Sequence, residues 1–247
     1  MSKKILITGG TGALGQKLKD NEFFKNSYFP TKKQLDLRDR KKISKFFNSK
    51  KINLVINCAA IARMSKCENN KFLAFETNVV GTMNLVLEIL KKKNIKLIHI
   101  SSDAVYKSDQ GNYKENDNLD FYNFYGLTKI LSDYIVRYLK NFLIIRTRFY
   151  DKKKIKFKKY ASDSYSSAIE IENLVKKIEK LTKKNINGVI NIGDKKKSDF
   201  EIYHNLNKKI IKTKLNKIKN NIKFNISKDA SLNLSRQKKI FKWKKKY

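Results

Sequence analysis

Helix and strand signals alternate along the chain, an apolar opening strand runs into a glycine-rich turn, and a serine ends a later apolar strand. Together these predict an α/β fold built on a doubly wound parallel sheet. The first strand is Ile5-Leu6-Ile7, a short apolar run suited to a sheet covered on both faces. Gly9, Gly12 and Gly15 follow at three-residue spacing. In such a turn the first glycine permits the bend, the second lets backbone N–H groups approach a pyrophosphate, and the third lets the helix pack closely. The helix, expected near 12–22, then points its positive N-terminal end at that anion. Gly9, Thr11, Gly12, Ala13, Leu14 and Gly15 are therefore the expected contacts to a dinucleotide cofactor.

The later elements follow in order. Ser27-Tyr28-Phe29 reads as a short second strand, stopped by Pro30, which lacks a backbone donor. A helix near 40–49 leads to the strand Asn53–Asn57. Between 70 and 93, Phe72, Phe75, Val79, Met83, Val86, Leu87 and Leu90 recur at helical spacing, the pattern of a core-packing helix. The strand Leu97–Ser101 precedes Ser102, a helix runs from about 123 to 140, and the strand Phe142–Arg146 closes the first lobe. A helix near 168–183, the strand Gly188–Ile192 and a helix near 199–209 come next. Beyond 212 the chain is rich in lysine and asparagine and reads as less ordered. The prediction is a Rossmann-like domain over residues 1–150 and a small C-terminal substrate lobe with a lysine-rich tail over 151–247.

Composition narrows the function classes. A net charge of +35 invites a nucleic-acid or anionic-membrane reading. Yet only seven of the 57 basic residues are arginine, the residue whose planar fork suits bidentate base and phosphate contacts. Lysine is spread along the whole chain, so the charge reads as solvated surface and not as a dedicated nucleic-acid site. Cys58 and Cys67 form no metal pattern, and no metal site is expected. No apolar run approaches the ~20 residues of a membrane span, and Met1 leads almost directly into the first strand, so the expected location is cytoplasmic.

Chemistry enters with Ser102 and the segment Tyr125-Gly126-Leu127-Thr128-Lys129. Residues four apart share a helix face, so Tyr125 and Lys129 can act together. A positive charge beside a phenol favours its ionised form, which lets tyrosine exchange protons nearer neutral pH. Ser102 falls at the carboxyl edge of a parallel sheet, where ligands of such folds bind. His99, in mid-strand, and His204, in a far helix, are expected to be structural.

These segments resemble the extended short-chain dehydrogenase/reductase family, and within it the dTDP-4-dehydrorhamnose reductase branch of sugar-nucleotide enzymes. The resemblance runs through Thr8–Gly15, Leu35–Asp39, Val55–Ala60, Asn78–Thr82, Ser101–Tyr106, Asn123–Lys129 and Ile145–Thr147. It is strong over residues 1–150 and thinner to about 235. It implies hydride transfer to a ketone, with Tyr125 protonating the developing alkoxide, Ser102 hydrogen-bonding the carbonyl oxygen, and Lys129 lowering the tyrosine pKa and holding the nicotinamide ribose. It also implies cofactor contacts from Asp36 and Leu37 near adenine, from Asn57, Ala59 and Ala60 at the next strand end, and from Asn78, in a largely structural role.

The resemblance sorts the reaction types. Related 4,6-dehydratases carry an Asp-Glu pair after the catalytic hydroxyl, and epimerase-reductases of the GDP-fucose type carry a cysteine there. This chain has Asp103-Ala104. Simple reduction of a 4-keto sugar nucleotide, for surface polysaccharide precursors, is the expected activity. A 4-epimerase, another ketoreductase, or a non-catalytic cofactor-binding regulatory subunit are the alternatives. After the second strand no acid is present to grip a ribose 2′-hydroxyl, whereas Thr31 and Lys32 could receive a 2′-phosphate, so NADPH is expected over NADH. Asp103, Arg146, Phe149 and Tyr165 are the expected substrate contacts. Three positions depart from the branch: Ala104 in place of a tyrosine, Phe149 in place of a tryptophan, and Ser65 in place of an aspartate. The segment between Tyr150 and Ala168 is also short, which implies a smaller lid. Relatives of this kind often form homodimers.

Overall fold

Four strands of the central sheet are β1 (Ile5–Thr8), β2 (Leu54–Asn57), β3 (Lys96–Ser102) and β4 (Phe142–Thr147); Gly188–Ile192 is the fifth. The computed structural model describes residues 4–220, 222 and 224–242. All five strands are parallel, in the order β1, β2, β3, β4 and Gly188–Ile192. Residues of both parities are buried along β1 and β2, as the unbroken apolar runs require of strands covered on both faces. One apolar layer combines Ile5, Ile7, Leu18, Ile56 and Ile98 with Leu174 and Ile178 of the helix Ile171–Thr182. The other combines Leu6, Val55, Leu97 and Ile144 with Ile43, Leu85 and Ile89. Burying each such side chain fully contributes about 1.5–3 kcal/mol, so these two layers dominate the stabilisation of the fold.

The expected second strand shrinks to a single bridge. Tyr28 pairs with Leu6, donating to the Ile5 carbonyl at 2.8 Å and accepting from Ile7 N–H at 2.9 Å. The ladder ends there because Pro30 offers no donor two residues on. Tyr28 flanks β1 on one side and β2 flanks it on the other. The chain therefore reverses its direction of strand placement at β1, which creates a crevice at the carboxyl ends of β1 and β2.

Helix α1 (Ala13–Lys19) follows the glycine turn, and α2 (Arg40–Ser49) is capped by the Asp39 side chain, which accepts from Lys42 N–H at 3.0 Å. The predicted 70–93 helix is continuous from Lys71 to Leu90, with a π-helical stretch at Glu76–Val80. It is long and apolar enough to cross a membrane by length and composition, contrary to the expectation that no such run exists. Over its most apolar stretch 56% is buried inside the protein, the packing of a core helix. Phe124–Val136 is the tyrosine helix, started by Asn123, whose side chain accepts from Gly126 N–H at 2.9 Å.

The region beyond residue 212 corrects the sequence reading. Ile211–Thr213 pairs in parallel with Lys159–Ala161, Asp229–Ala230 pairs with Tyr165–Ser166, and Ser235–Lys242 is a helix. Lysine-rich composition masks the spaced apolar residues Leu215, Ala230, Leu232 and Ile240 that pack inward. Residues 221, 223 and 243–247 of the predicted tail lie outside the described residues.

Candidate active site

The glycine turn closes on itself. Gly9 adopts φ +70°, a conformation open to glycine at little cost, and Gly12 N–H donates to the Gly9 carbonyl at 2.9 Å. A methyl group on Gly9 would sit 2.7 Å from the Ala59 backbone nitrogen, so the turn is pressed against the end of β2. One on Gly15 would sit 2.2 Å from the Gly9 carbonyl oxygen. The loop is a tight backbone cradle in which no side chain can intrude, with Gly12 at the N-cap of α1. This fits the pyrophosphate of a dinucleotide, the group that the spacing predicts.

Ser102 ends β3, as expected, and its hydroxyl accepts from Ala104 N–H at 3.1 Å while donating to Asp103 Oδ1 at 3.2 Å. Tyr125 stands in the first turn of its helix, with its phenol facing the Ser102 hydroxyl. Burial raises the phenol pKa, partly offset by Ser102. Lys129 lies one turn on, almost fully buried; its Nζ donates to the Ile100 carbonyl at 2.9 Å and sits 3.1 Å from His99 Nε2. Burial lowers its pKa to about 8, with Asp133 acting in the opposite sense. Three elements, β1, β3 and the tyrosine helix, thus bring the cradle, Ser102, Tyr125 and Lys129 to one edge of the sheet.

Several expected contacts point elsewhere. Arg146 is fully buried, donating to Asp133 Oδ2 at 3.0 Å, the Tyr106 hydroxyl at 2.8 Å and the Glu115 carbonyl at 3.1 Å. It is a core residue and not a substrate contact. Asp103 is also buried, held between Ser102 and Arg148, whose Nε lies 2.7 Å from Oδ2. Asn57 turns inward to Thr8, Thr82 and His99, and Leu37 packs in the core, so neither side chain faces the crevice. Asn78 ties the tyrosine helix to the loop after β2: it accepts from Ile61 N–H at 2.8 Å and donates to Thr128 Oγ1 at 3.0 Å.

Other residues stay where a ligand could reach them. Thr31 and Lys32 are exposed beyond Tyr28, with the Thr31 hydroxyl donating to Gln34 Oε1 at 3.0 Å. Asp36 is held by Arg38 through a two-point ion pair, with distances of 2.7 and 3.1 Å, which lowers its pKa. Ala59 and Ala60 are half-buried at the end of β2. Phe149 and Tyr165 are half-buried in the short strands Phe149–Tyr150 and Tyr165–Ser166. Sequence reasoning passes over Arg148, yet it is the cation paired with Asp103, the neighbour of Ser102, and it also donates to Ser227 Oγ at 3.1 Å. The available signal is the pair of arginines flanking Thr147, which faces Ser102 across the ladder.

Comparison with known proteins gives the family. The family model described as the RmlD substrate binding domain matches residues 3–214. A spore coat polysaccharide biosynthesis protein of Bacillus subtilis is 31% identical over 150 residues, 58% of this chain and 52% of that protein. A dTDP-4-dehydrorhamnose reductase of Mycolicibacterium smegmatis is 31% identical over 140 residues, 55% of this chain and 42% of that protein. The matched region thus spans about half the length of these curated relatives. Among solved structures, a dTDP-4-dehydrorhamnose reductase from Clostridium acetobutylicum is 25% identical with a TM-score of 0.83, covering 93% of this chain and 89% of its own. One from Bacillus anthracis, in complex with NADP, shares the fold at 21% identity and a TM-score of 0.87, covering 96% and 92%.

Proposed function

Because the chain belongs to the RmlD substrate-binding-domain family, we propose that it is a nicotinamide-dependent reductase of a 4-keto sugar nucleotide. The observation that carries this reading is the convergence of Ser102, Tyr125 and Lys129 beside a backbone cradle shaped for a pyrophosphate. A bound nicotinamide cofactor supplies the hydride. The protein's own residues manage position and protons. Ser102, fixed by Ala104 N–H, offers a hydroxyl to the substrate carbonyl once it turns from Asp103. Tyr125 keeps its proton until an alkoxide develops, because burial holds the phenol in its neutral form. Lys129, buried one turn further along the same helix, is the proton reserve that makes good this loss. Arg148 neutralises Asp103, so a carboxylate next to Ser102 adds no unbalanced charge where negative charge develops. The same pair withholds Asp103 from acid catalysis of the dehydratase kind.

The reading is tested by NADPH consumption with freshly generated 4-keto-6-deoxy nucleotide sugars. Turnover with one of them supports it and identifies the nucleotide; cofactor binding without turnover on any of them counts against it. NADPH is preferred over NADH in this proposal, through Thr31 and Lys32 at the exposed end of the Tyr28 segment. Lys32→Ala is expected to weaken NADPH binding by roughly tenfold, about 1.4 kcal/mol, and to leave NADH unchanged. Equal losses for both cofactors in a binding titration would remove Lys32 from that role. In this proposal the protein acts in the cytoplasm, in the synthesis of cell-surface sugar precursors.

A further inference from the structure

Asn57, His99 and Lys129 form a buried line of hydrogen bonds beneath the site, and the donors along it can be counted. Ala59 N–H donates to Asn57 Oδ1 at 3.2 Å, and the Thr8 hydroxyl donates to the same oxygen at 2.6 Å. A backbone N–H can only donate, so it fixes the amide with Oδ1 towards Ala59 and Nδ2 towards His99. Thr82 agrees: its hydroxyl donates to the Asn78 carbonyl at 2.7 Å and leaves a lone pair facing Asn57 Nδ2 at 3.5 Å. Asn57 Nδ2 lies 3.2 Å from His99 Nδ1 and therefore donates to it. A neutral imidazole has one acceptor and one donor nitrogen, so Nε2 carries the hydrogen. His99 is neutral, since burial, aided by Lys129, holds its pKa well below 6.5. Its Nε2–H faces Lys129 Nζ at 3.1 Å. An ammonium has only donors to offer there, whereas a neutral amine has a lone pair.

We propose that His99, locked by Asn57 as the Nε2–H tautomer, is a positioning residue that favours the neutral amine of Lys129 and keeps its last proton easy to transfer. The proposal deepens the reductase reading and rests on it for its role in turnover. The groups facing Lys129 are His99 and the Ile100 carbonyl from β3, Cys58 just beyond β2, and Asp133 on its own helix. Cys58 stays a neutral thiol, pushed up to about 12 by burial. Asp133 favours the ammonium, but its carboxylate is already engaged by Arg146 at 3.0 Å. His99 is thus the neighbour that places a donor against the Lys129 lone pair. The chemistry is a proton balance at Lys129: when the ammonium releases one N–H proton, the amine lone pair left behind accepts from His99 Nε2–H, and in the reductase reading that proton makes good the one Tyr125 has given to the alkoxide.

The chain has two histidines, His99 and His204, so nitrogen NMR of histidine-labelled protein reads the tautomer directly, with His204→Gln assigning the signals. The expected result is a neutral Nε2–H imidazole for His99 throughout the neutral range. An Nδ1–H signature overturns the proposal, because Lys129 would then donate to Nε2 as an ammonium; an imidazolium at neutral pH overturns it equally. In His99→Leu, the Lys129 amine followed by NMR should titrate about one pH unit higher, a tenfold gain in proton affinity. The alkaline limb of the kcat profile should move up with it. An unchanged midpoint in the folded variant would reduce His99 to a packing residue. The tautomer measurement needs no substitution at His99 and no turnover. An Nδ1–H result alongside Tyr125-dependent turnover would sink this proposal alone, and the expected tautomer without turnover would support it while counting against the reductase reading.

Discussion

Replacing Tyr125 with phenylalanine is expected to lower kcat for keto-sugar reduction by at least about a hundredfold, the scale of losing one positioned acid. The change removes one hydroxyl and keeps the ring, so the first turn of the Phe124–Val136 helix and its Asn123 cap should persist. Cofactor affinity should change little, because the glycine cradle is backbone and lies on β1. A fall in kcat with an unchanged Kd for NADPH is therefore the outcome the geometry calls for. Equal losses in both would mean that the phenol serves binding, and unchanged turnover would remove Tyr125 from the acid role. The pH profile gives a second check. Lys129 is lowered from the ordinary lysine value of 10.5 to about 8 by burial, so the proton it restores to Tyr125 is lost above that pH. Wild-type kcat should fall on the alkaline side from about 8, well below the range where an exposed lysine titrates.

The contrast between Lys129 and Tyr125 separates two ideas that the sequence spacing merges. Four-residue spacing does put both on one helix face, but the lysine reaches into β3 and its nearest partners are Ile100 and His99. The phenol instead answers to Ser102 and Asp103. In the proposed mechanism Lys129 therefore holds and passes a proton, and the groups acting on the phenol are Ser102 and Asp103.

What was legible in the sequence is what local rules decide. A strand of Ile5-Leu6-Ile7 followed by spaced glycines has few other conformations, and Gly9 at φ +70° shows why that position cannot carry a side chain. The parallel strands were legible because β-rich apolar runs alternate with helical periodicity. Direction within the sheet was not. Arg146 and Arg148 stand two apart at the end of β4, and nothing local says that the first meets Asp133 in the core while the second meets Asp103 beside the serine. The same blindness hid Asn57 and Leu37, polar and apolar residues in apparent cofactor positions whose side chains turn inward. The folded C-terminal region was missed for another reason: its few inward residues are diluted by lysine, so periodicity fades although each still packs.

Arg146→Met should cost about 3–5 kcal/mol, because it strips the partner from a carboxylate with no exposure of its own. Asp133 would be left in the core, and the Tyr106 hydroxyl and Glu115 carbonyl would each lose a donor. Thermal unfolding should fall by roughly 10 °C for a chain of this size. The pH dependence identifies the cause. A buried carboxylate stripped of its counter-ion is costlier to ionise than one in the unfolded chain, so the folded variant holds an extra proton over a window above the ordinary carboxylate value of about 3.9. Stability of the variant relative to wild type should then decline as pH rises through that window and be least impaired in acid. Adding Asp133→Leu removes the stranded carboxylate and should recover much of the loss, since an apolar pair of similar volume often replaces a buried ion pair without penalty. A single variant as stable as wild type, or a double variant no better than the single, would show that Arg146 is held for some reason other than Asp133. The comparison also bears on the site, because Asp133 is the acidic group nearest Lys129 that favours its charged form. The double variant, freed of that carboxylate, should shift the alkaline limb of kcat downward even where its fold is restored.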